Sequence, residues 1–125
     1  MLMIDLFTYG TLMLTDLMES VIQRRPERLH GLLSGYERRE VRNAHFPAIM
    51  PGSREVQGII YTGLSQQEIH RLDTYESNYY IRRTVSVKCE QTFRTCEAYI
   101  WRPDLRHLLG DCDWDYQAWV TKHYS

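Results

Sequence analysis

The sequence lacks the residue patterns that mark several common kinds of functional site. It has five histidines, but no two of them have the helical spacing of a metal-binding pair, and no cysteine accompanies a histidine in a zinc-type pattern. Gly-x-Ser-x-Gly, a phosphate-binding glycine-rich loop with lysine and a dinucleotide-binding fingerprint are all missing. The sequence therefore predicts no metal site, no cofactor and no serine nucleophile.

An excess of charge of either sign is also missing. Fifteen basic and sixteen acidic side chains give a net charge of -1, which offers no field to attract a nucleic acid or an anionic membrane. No stretch approaches the roughly 20 apolar residues of a membrane-spanning helix, and the first residues lack the basic-then-apolar pattern of a signal peptide. We expect a cytoplasmic protein whose partners include neither nucleic acid nor membrane.

Cysteine is scarce, with only three residues in the chain. An odd number without close metal-type pairing is typical of reduced thiols in a reducing compartment. Cys89 and Cys96 flank a predicted hairpin around residues 91–93, so the two side chains could face each other as a disulfide. Two free thiols are the favoured state, and neither is predicted to be catalytic, because Cys89 lies on a predicted strand with no evident base beside it.

What is present is the composition of a folded globular protein. The chain has 125 residues, of which 43% are hydrophobic and 12% aromatic, and no linker, repeat or low-complexity segment interrupts it. A chain of this length buries roughly two thirds of the surface that its unfolded form exposes. We expect residues 1–125 to form a single domain.

The first element is a strand that ends at a glycine. An apolar run from Leu2 to Tyr9 predicts a buried strand, and Gly10 permits a backbone conformation closed to other residues. Because a helix-forming segment follows, several backbone N–H groups are left unpaired at the turn, where they can hold a carboxylate or an oxyanion. The alternative is an ordinary strand-to-helix turn without a function.

The remaining elements alternate between helices and strands. Residues 14–22 carry the apolar stripe of an amphipathic helix, with Asp16 as its expected cap, and Ser65 with Glu68 has the spacing of a capping box that starts a second helix. Further predicted segments are a strand at 29–41 with bends at Gly31 and Gly35, a rigid apolar loop at 43–52, strands at 55–62, 79–89 and 94–101, and a terminal packing helix at 115–124. This order favours an α+β domain built on a small mixed β-barrel.

Glu76 falls at the predicted end of the second helix. The helix dipole is negative there and disfavours a carboxylate, so a glutamate has little structural reason to occupy the position. Burial in addition to the dipole would raise its pKa and make it a proton carrier near neutral pH. A solvated residue at a helix end, or one paired with Arg82 or Arg83, is the structural alternative.

Four short motifs occur together in a fixed order. They are Tyr-Gly-Thr-Leu at 9–12, the strand Val-Gln-Gly-Ile-Ile-Tyr at 56–61 after a proline-bearing loop at 46–51, Leu-Asp-x-Tyr-Glu at 72–76, and Tyr-x-Arg-x-x-Val-x-Val at 80–87. In this order they resemble the γ-glutamylcyclotransferase-like proteins, including the avirulence-induced-gene-like branch and the γ-glutamylamine cyclotransferases. The resemblance covers Leu6 to about Trp101.

The resemblance implies a small mixed β-barrel flanked by short helices. It also implies that the turn at 9–12 and Glu76 meet at one pocket. It implies a small-molecule γ-glutamyl substrate, whose α-amine attacks its own γ-carbonyl without a covalent enzyme intermediate and releases 5-oxoproline with an amine or amino acid. Glu76 would be the catalytic proton carrier, and Tyr9, Gly10, Thr11, Leu12 and Tyr80 would bind the substrate. Tyr61 and Tyr99 are further candidates for the pocket. The oligomeric state stays open.

One position departs from the family pattern, since Ser77 follows Glu76 where members often carry glycine. The departure leaves the direction of the Glu76 side chain open. Two other functions remain as alternatives: a non-catalytic module that binds a small carboxylated or phosphorylated metabolite at the same turn, and an interaction protein that uses the edge at Tyr79 and Tyr80.

Overall fold

The structure, a computed structural model, describes residues 3–124, without the side chain of residue 124. Five strands form a closed barrel in the order β1-β3-β2-β4-β5. The strands are β1 Ile4–Thr8, β2 Arg28–Glu40, β3 Pro47–Leu64, β4 Tyr80–Cys89 and β5 Thr92–Trp101, and the helices are α1 Thr15–Ile22, α2 Gln66–Glu76 and α3 Tyr116–Tyr124. Short 3-10 helices span Thr11–Met13, Ser77–Tyr79 and Pro103–Leu108. The predicted α+β class and mixed barrel are confirmed.

The sheet is mixed because β1 pairs in both directions. It runs antiparallel to β3, with Leu6 opposite Tyr61, and parallel to β5, with Leu6 opposite Glu97. The other pairings, β2 with β3, β2 with β4 and β4 with β5, are antiparallel. The parallel contact between β1 and β5 closes the barrel and brings the end of the first strand beside the last strand. Leu2, which the sequence placed in the first strand, lies outside the described residues.

The glycines in β2 have the role that the sequence indicated. Gly35 has a φ of +85°, and the β2–β3 register shifts between Ser34 and Tyr36, which is a bulge. Gly31 lets the barrel close tightly, because a Cβ atom there would lie 2.7 Å from Val87 Cγ1. Bulges and glycine kinks of this kind allow a sheet to curve into a small barrel.

Two apolar layers hold the barrel and its helices together. Side chains from all five strands fill the interior: Phe7, Leu33, Ile49, Val56, Ile60, Val85, Val87, Cys96, Ala98 and Ile100 are buried together. A second buried cluster joins α1 and α2 to the outside of the sheet through Leu6, Met18, Ile22, Ile59, Leu64, Ile69 and Leu72. The predicted stripe of α1 is therefore used for packing. No helix in residues 3–124 is both long and apolar enough to cross a bilayer.

Two local expectations were wrong. The rigid loop expected at 43–52 is a loop only up to Phe46, because residues from Pro47 onward pair with the far end of β2 and extend β3. Asp16 does not cap α1; it lies in the first turn and pairs with Arg25, while Leu14 is the N-cap. The expected state of Cys89 and Cys96 is confirmed: both thiols are free, since the β4–β5 register places them opposite Thr92 and Val85.

Candidate active site

The predicted site residues meet at one cavity of about 510 Å³. On one side lies the turn from Tyr9 to Leu12, which follows β1. On the other lie Glu76 and Ser77 at the end of α2, with Tyr80 and Tyr99 from β4 and β5 beside them. All six residues proposed from the sequence, Tyr9, Gly10, Thr11, Leu12, Glu76 and Tyr80, therefore line the same space. Gly10 and Glu76, 66 residues apart in the chain, are brought to one cavity because β1 lies between β3 and β5 in the barrel.

The turn after β1 is a short 3-10 helix. The N–H of Met13 donates to the carbonyl of Gly10 at 3.0 Å, and the N–H of Leu14 donates to Thr11 at 3.1 Å. In such a turn the N–H groups that precede Met13 have no acceptor within the helix. Those N–H groups belong to residues that line the cavity. The turn can thus offer donors to a carboxylate or an oxyanion.

Gly10 is required here for a different reason from the one expected. Its φ is -130°, so it does not use the left-handed conformation that only glycine adopts readily. A Cβ atom at this position would lie 2.8 Å from both Cγ and Cδ of Pro47. The glycine therefore allows the turn to approach the first residue of β3, and this contact could not be read from the local sequence.

Side chains behind the turn fix its carbonyl groups. The hydroxyl of Tyr61 donates to the carbonyl of Leu12 at 2.7 Å, and Nη1 of Arg38 donates to the carbonyl of Tyr9 at 2.8 Å. Tyr61 is fully buried and is not part of the cavity wall, so it supports the turn rather than facing a ligand. Arg38 was missed by the sequence reasoning, because nothing in its neighbourhood on β2 indicates a contact with residue 9.

Three tyrosines surround the carboxyl group at the end of α2. Tyr9 donates its hydroxyl to the carbonyl of Tyr99, Tyr80 donates to the carbonyl of Pro47 at 2.8 Å, and Tyr99 donates to Oδ1 of Asp73 at 2.7 Å. Burial raises the pKa of all three phenols, and the nearby charge of Glu76 raises each pKa further. The tyrosines are therefore neutral, and their own hydrogens are directed away from the Glu76 carboxylate.

In the described part of the chain, Glu76 is left without a partner for its carboxyl group. Its side chain forms no ion pair and no hydrogen bond within residues 3–124, and Arg82, one of the partners considered above, pairs instead with Asp73 at 3.0 Å and Glu97 at 2.7 Å. The carboxyl group stays partly accessible through the cavity, but surrounding protein atoms remove most of its water. This desolvation raises the pKa of Glu76 from 4.5 to about 7. At neutral pH the group can accept and release a proton.

Ser77 adopts the backbone conformation that glycine would favour. Its φ is 68° and its ψ is -168°, a region that side-chain-bearing residues rarely occupy. Its N–H still donates to the carbonyl of Asp73, which ends α2 directly after Glu76. The chain therefore turns as it would with glycine at this position, and Glu76 faces the cavity despite the serine.

The rest of the cavity wall is largely aromatic. The segment before β3 contributes His45 and Phe46, and β3 contributes its first residue, Pro47. Tyr75 and Tyr79 lie on either side of Glu76 in the chain and also line the cavity. Trp119 of α3 completes the wall. The sequence predicted α3 but assigned it only to packing, since a tryptophan on an amphipathic helix carries no signal of a binding site.

Comparisons with known proteins agree with the fold and with the position of the motifs. Residues 6–116 match the family described as gamma-glutamyl cyclotransferase, AIG2-like. The AIG2-like protein C of Arabidopsis thaliana is 32% identical, in an alignment that covers 92% of this chain and 68% of that protein.

Solved structures show the same architecture. A solution structure of an Arabidopsis thaliana protein, 26% identical, superposes with a TM-score of 0.80 over 98% of this chain and 76% of the other. A structure named gamma-glutamyl cyclotransferase superposes with a TM-score of 0.66 over 79% of this chain and 66% of the other, and its 16% identity shows the shared fold alone. The chain belongs to the gamma-glutamyl cyclotransferase, AIG2-like family.

Proposed function

We propose that the protein is a γ-glutamyl cyclotransferase, which converts a γ-glutamyl compound to 5-oxoproline and a free amine or amino acid. The observation that carries the proposal is the state of Glu76: an acid without a partner among residues 3–124, with a pKa of about 7, across one cavity from a turn that can offer backbone donors. A site that only binds an anion has no use for a carboxyl group at this place, because its negative charge opposes the ligand.

The reaction needs positioning and proton transfer more than a nucleophile from the protein. The substrate carries its own α-amine, and formation of a five-membered ring makes the attack intramolecular once the γ-glutamyl chain is folded back on itself. The N–H groups of the turn from Tyr9 to Leu12 would hold the substrate α-carboxylate and the oxyanion that develops on the γ-carbonyl. Tyr80 and Tyr99 would form the wall that holds the folded chain near Glu76.

Glu76 moves the proton. Its carboxylate takes a proton from the α-ammonium group, and the resulting amine forms a bond to the γ-carbon. The bond between that carbon and the leaving nitrogen then breaks as Glu76 returns the proton to the leaving nitrogen. A second proton follows the same route through Glu76, from the attacking nitrogen to the released amine, so that 5-oxoproline keeps one N–H and the amine departs as an ammonium ion. No electron is gained or lost overall, and no covalent bond to the protein forms. A pKa near 7 suits both halves of this cycle, because protonated and ionised forms are both available at neutral pH.

The experiment that tests the proposal is incubation of the purified protein with γ-glutamyl amines, γ-glutamyl amino acids and glutathione, scored for 5-oxoproline. We expect release from at least one class, and we expect Glu76→Gln to remove it. If no compound yields 5-oxoproline but several bind with equal strength to the wild type and to Glu76→Gln, the protein is a binding module and the proposal is wrong.

A further inference from the structure

A second cavity lies on the outer face of the barrel. It has a volume of about 630 Å³, and the strands β2, β3 and β4 supply most of its lining. Met13 at the end of the turn after β1 and Tyr116 at the start of α3 also line it. We call it the β2 cavity. Among residues 3–124, no residue lines both this cavity and the one around Glu76.

The strand register gathers basic side chains in the β2 cavity. Because side chains alternate along a strand, Arg28 and His30 lie on the face of β2 opposite to that of Gly31, whose Cβ atom would point into the barrel interior. Lys88 of β4 pairs with Leu32, two residues beyond His30 on β2. Diagonal neighbours such as His30 and Lys88 are about 7–8 Å apart. Nitrogen-bearing side chains from two adjacent strands therefore line one cavity.

Most of the positive charge in the β2 cavity has no counterion within the fold. Arg28 and Lys88 form no ion pair among the described residues. Arg38, the third cation of the lining, pairs with Asp113 at 2.8 Å. Glu90 is the one acidic side chain of the lining within residues 3–124. Positive charge therefore exceeds negative charge here, although the whole chain has a net charge of -1.

Hydrogen-bond donors in the β2 cavity are also left over. Within the described residues, the guanidinium of Arg28 donates one of its five N–H groups, to the hydroxyl of Thr15. Arg38 donates three, two to Asp113 and one to the carbonyl of Tyr9. Two donors of Arg38 thus stay available without loss of its contact with the turn after β1, and the lysine ammonium group has three more. The cavity can therefore surround an anion with donors from several directions.

A neighbouring cavity of about 710 Å³ shows that arginine alone does not produce such an excess of positive charge. It is also lined by Arg38, together with Arg39 and Arg54. Four carboxylate side chains offset these three guanidinium groups: Glu37, Glu55, Asp111 and Asp113. An anion there would meet more negative than positive charge. The β2 cavity differs because its basic side chains face a single glutamate.

We propose that the β2 cavity is a second ligand site, which binds a small molecule with a phosphate monoester group. At neutral pH this group carries a charge near -2 and has three acceptor oxygens, so it can accept hydrogen bonds from Arg28, Arg38 and Lys88 together. A carboxylate has one charge and two oxygens, and it satisfies fewer of these donors. Met13 and Tyr116 can contact the apolar part of the ligand. The site does not depend on the reaction proposed for the Glu76 cavity.

Calorimetry with phenyl phosphate tests the ligand class. At neutral pH and constant ionic strength, we expect a dissociation constant below about 1 mM for the wild-type protein. Benzoate, a carboxylate of similar shape, and dimethyl phosphate, a diester like those of nucleic acids and lipids, each carry a single charge. We expect both to bind at least about 10-fold more weakly. Equal affinity for the three anions, or no binding of phenyl phosphate at about 10 mM, would overturn the inference.

The two lysines of the chain provide a matched pair of variants. Lys88 is exposed and has no side-chain partner within the described residues, so Lys88→Gln should fold normally, which a thermal melt checks. We expect it to weaken the binding of phenyl phosphate by about 10-fold, because a charge-assisted hydrogen bond is lost. Lys122→Gln removes the other lysine, which lies on α3 outside the lining of the β2 cavity, and should leave the affinity unchanged. An unchanged affinity in Lys88→Gln would contradict the proposed site.

Glu76→Gln distinguishes the β2 cavity from the cavity of the proposed reaction. An anion bound beside Glu76 would gain affinity when that carboxyl group is neutralised, whereas an anion in the β2 cavity should bind the variant as it binds the wild type. In an NMR titration with phenyl phosphate, the imidazole signals of His30 should shift. Tighter binding to Glu76→Gln, with the His30 signals unmoved, would overturn the inference. Release of 5-oxoproline is scored separately, so a failure of the reaction leaves phosphate binding intact, and a failure of phosphate binding leaves the reaction intact.

Discussion

The two ends of α2 carry the same side chain in opposite circumstances. At the first turn, Glu68 is buried, accepts the N–H of Ser65 at 2.9 Å and receives two guanidinium hydrogen bonds from Arg24, each at 2.8 Å. The bonds from Arg24 are the main reason why the pKa of Glu68 lies below its ordinary value. At the last residue, Glu76 has no such partner within the described residues, and burial raises its pKa to about 7.

One helix thus carries one glutamate whose charge the fold stabilises and one whose charge it destabilises. The positive end of the helix dipole, a capping box and an arginine all stabilise the charge of Glu68. The negative end of the dipole and burial both destabilise the charge of Glu76. A glutamate placed where its charge is unfavourable is typical of a residue retained for proton transfer. The comparison therefore predicts that the two glutamates fail in different ways when they are neutralised.

The largest expected effect is on turnover. Glu76→Gln keeps the shape of the side chain but removes the proton carrier, so the rate of 5-oxoproline release should fall by roughly two to four orders of magnitude. Glu68→Gln, the matched control on the same helix, should retain turnover within about 2-fold. Initial rates under saturating substrate measure both. Wild-type turnover in Glu76→Gln would show that this residue does not move the proton.

The next effect is on the pH dependence of stability. Protonated Glu76 stabilises the fold below pH 4.5, and this contribution is lost as pH rises through 7, because the folded pKa is raised. The stability of Glu76→Gln relative to wild type should therefore increase between pH 4.5 and 7.5, by up to roughly 3 kcal/mol. Urea unfolding across this range measures the difference. Glu68→Gln should show no such change in this range, since the pKa of Glu68 is lowered and the group titrates at more acidic pH. A stability difference between Glu76→Gln and wild type that stays constant with pH would contradict the account.

A smaller effect is expected on stability at neutral pH. Glu68→Gln keeps the capping geometry but loses the charge-assisted bonds to Arg24, so the free energy of unfolding should fall by about 1–2 kcal/mol. The free energy of unfolding of Glu76→Gln should not fall, because the substitution removes an unfavourable buried charge. Urea midpoints at pH 7.5 compare the two variants. A Glu76→Gln protein destabilised as much as Glu68→Gln would indicate a structural role for Glu76.

The smallest effect concerns the residue after Glu76. Ser77 has a φ of 68° in a region favoured by glycine, so Ser77→Gly should relieve backbone strain. We expect the free energy of unfolding to rise by about 1 kcal/mol, reduced by the greater conformational entropy that glycine has in the unfolded chain. Turnover should stay within about 3-fold of wild type, because the backbone already turns as glycine would. A thermal melt measures the change in stability, and an initial rate measures the change in turnover. A large loss of turnover would show that Ser77 does more than end the helix.

Features encoded by neighbouring residues could be predicted from the sequence. The capping box at Ser65 and Glu68 follows from a three-residue spacing, and the bends of β2 follow from its own glycines. The position of Glu76 at a helix end follows from the length of the apolar stripe before it. These signals are local because they depend on hydrogen bonds and periodicity within one element.

Features that depend on distant contacts could not be predicted in this way. Gly10 is needed because Pro47, 37 residues away, packs against it, and the carbonyl of Tyr9 is fixed by Arg38 from another strand. Pro47 itself joins β3 only because β2 extends far enough to pair with it. Trp119 lines the cavity only because α3 packs beside the segment before β3, where the ring of His123 lies 5.0 Å from that of His45. The motifs were sufficient to identify Glu76 and the turn from Tyr9 to Leu12 as cavity residues, whereas the aromatic wall required the assembled fold.

The central claim is that desolvation sets Glu76 to exchange a proton near neutral pH, and the pH profile of kcat/KM for 5-oxoproline release tests it most directly. The account predicts that the wild-type rate falls on the acid side with an apparent pKa of about 7, since only ionised Glu76 can accept the proton. Glu68→Gln should keep this acid limb, and the residual activity of Glu76→Gln should lack it. A wild-type profile that is flat through pH 7, or an acid limb that persists in Glu76→Gln, would contradict the account.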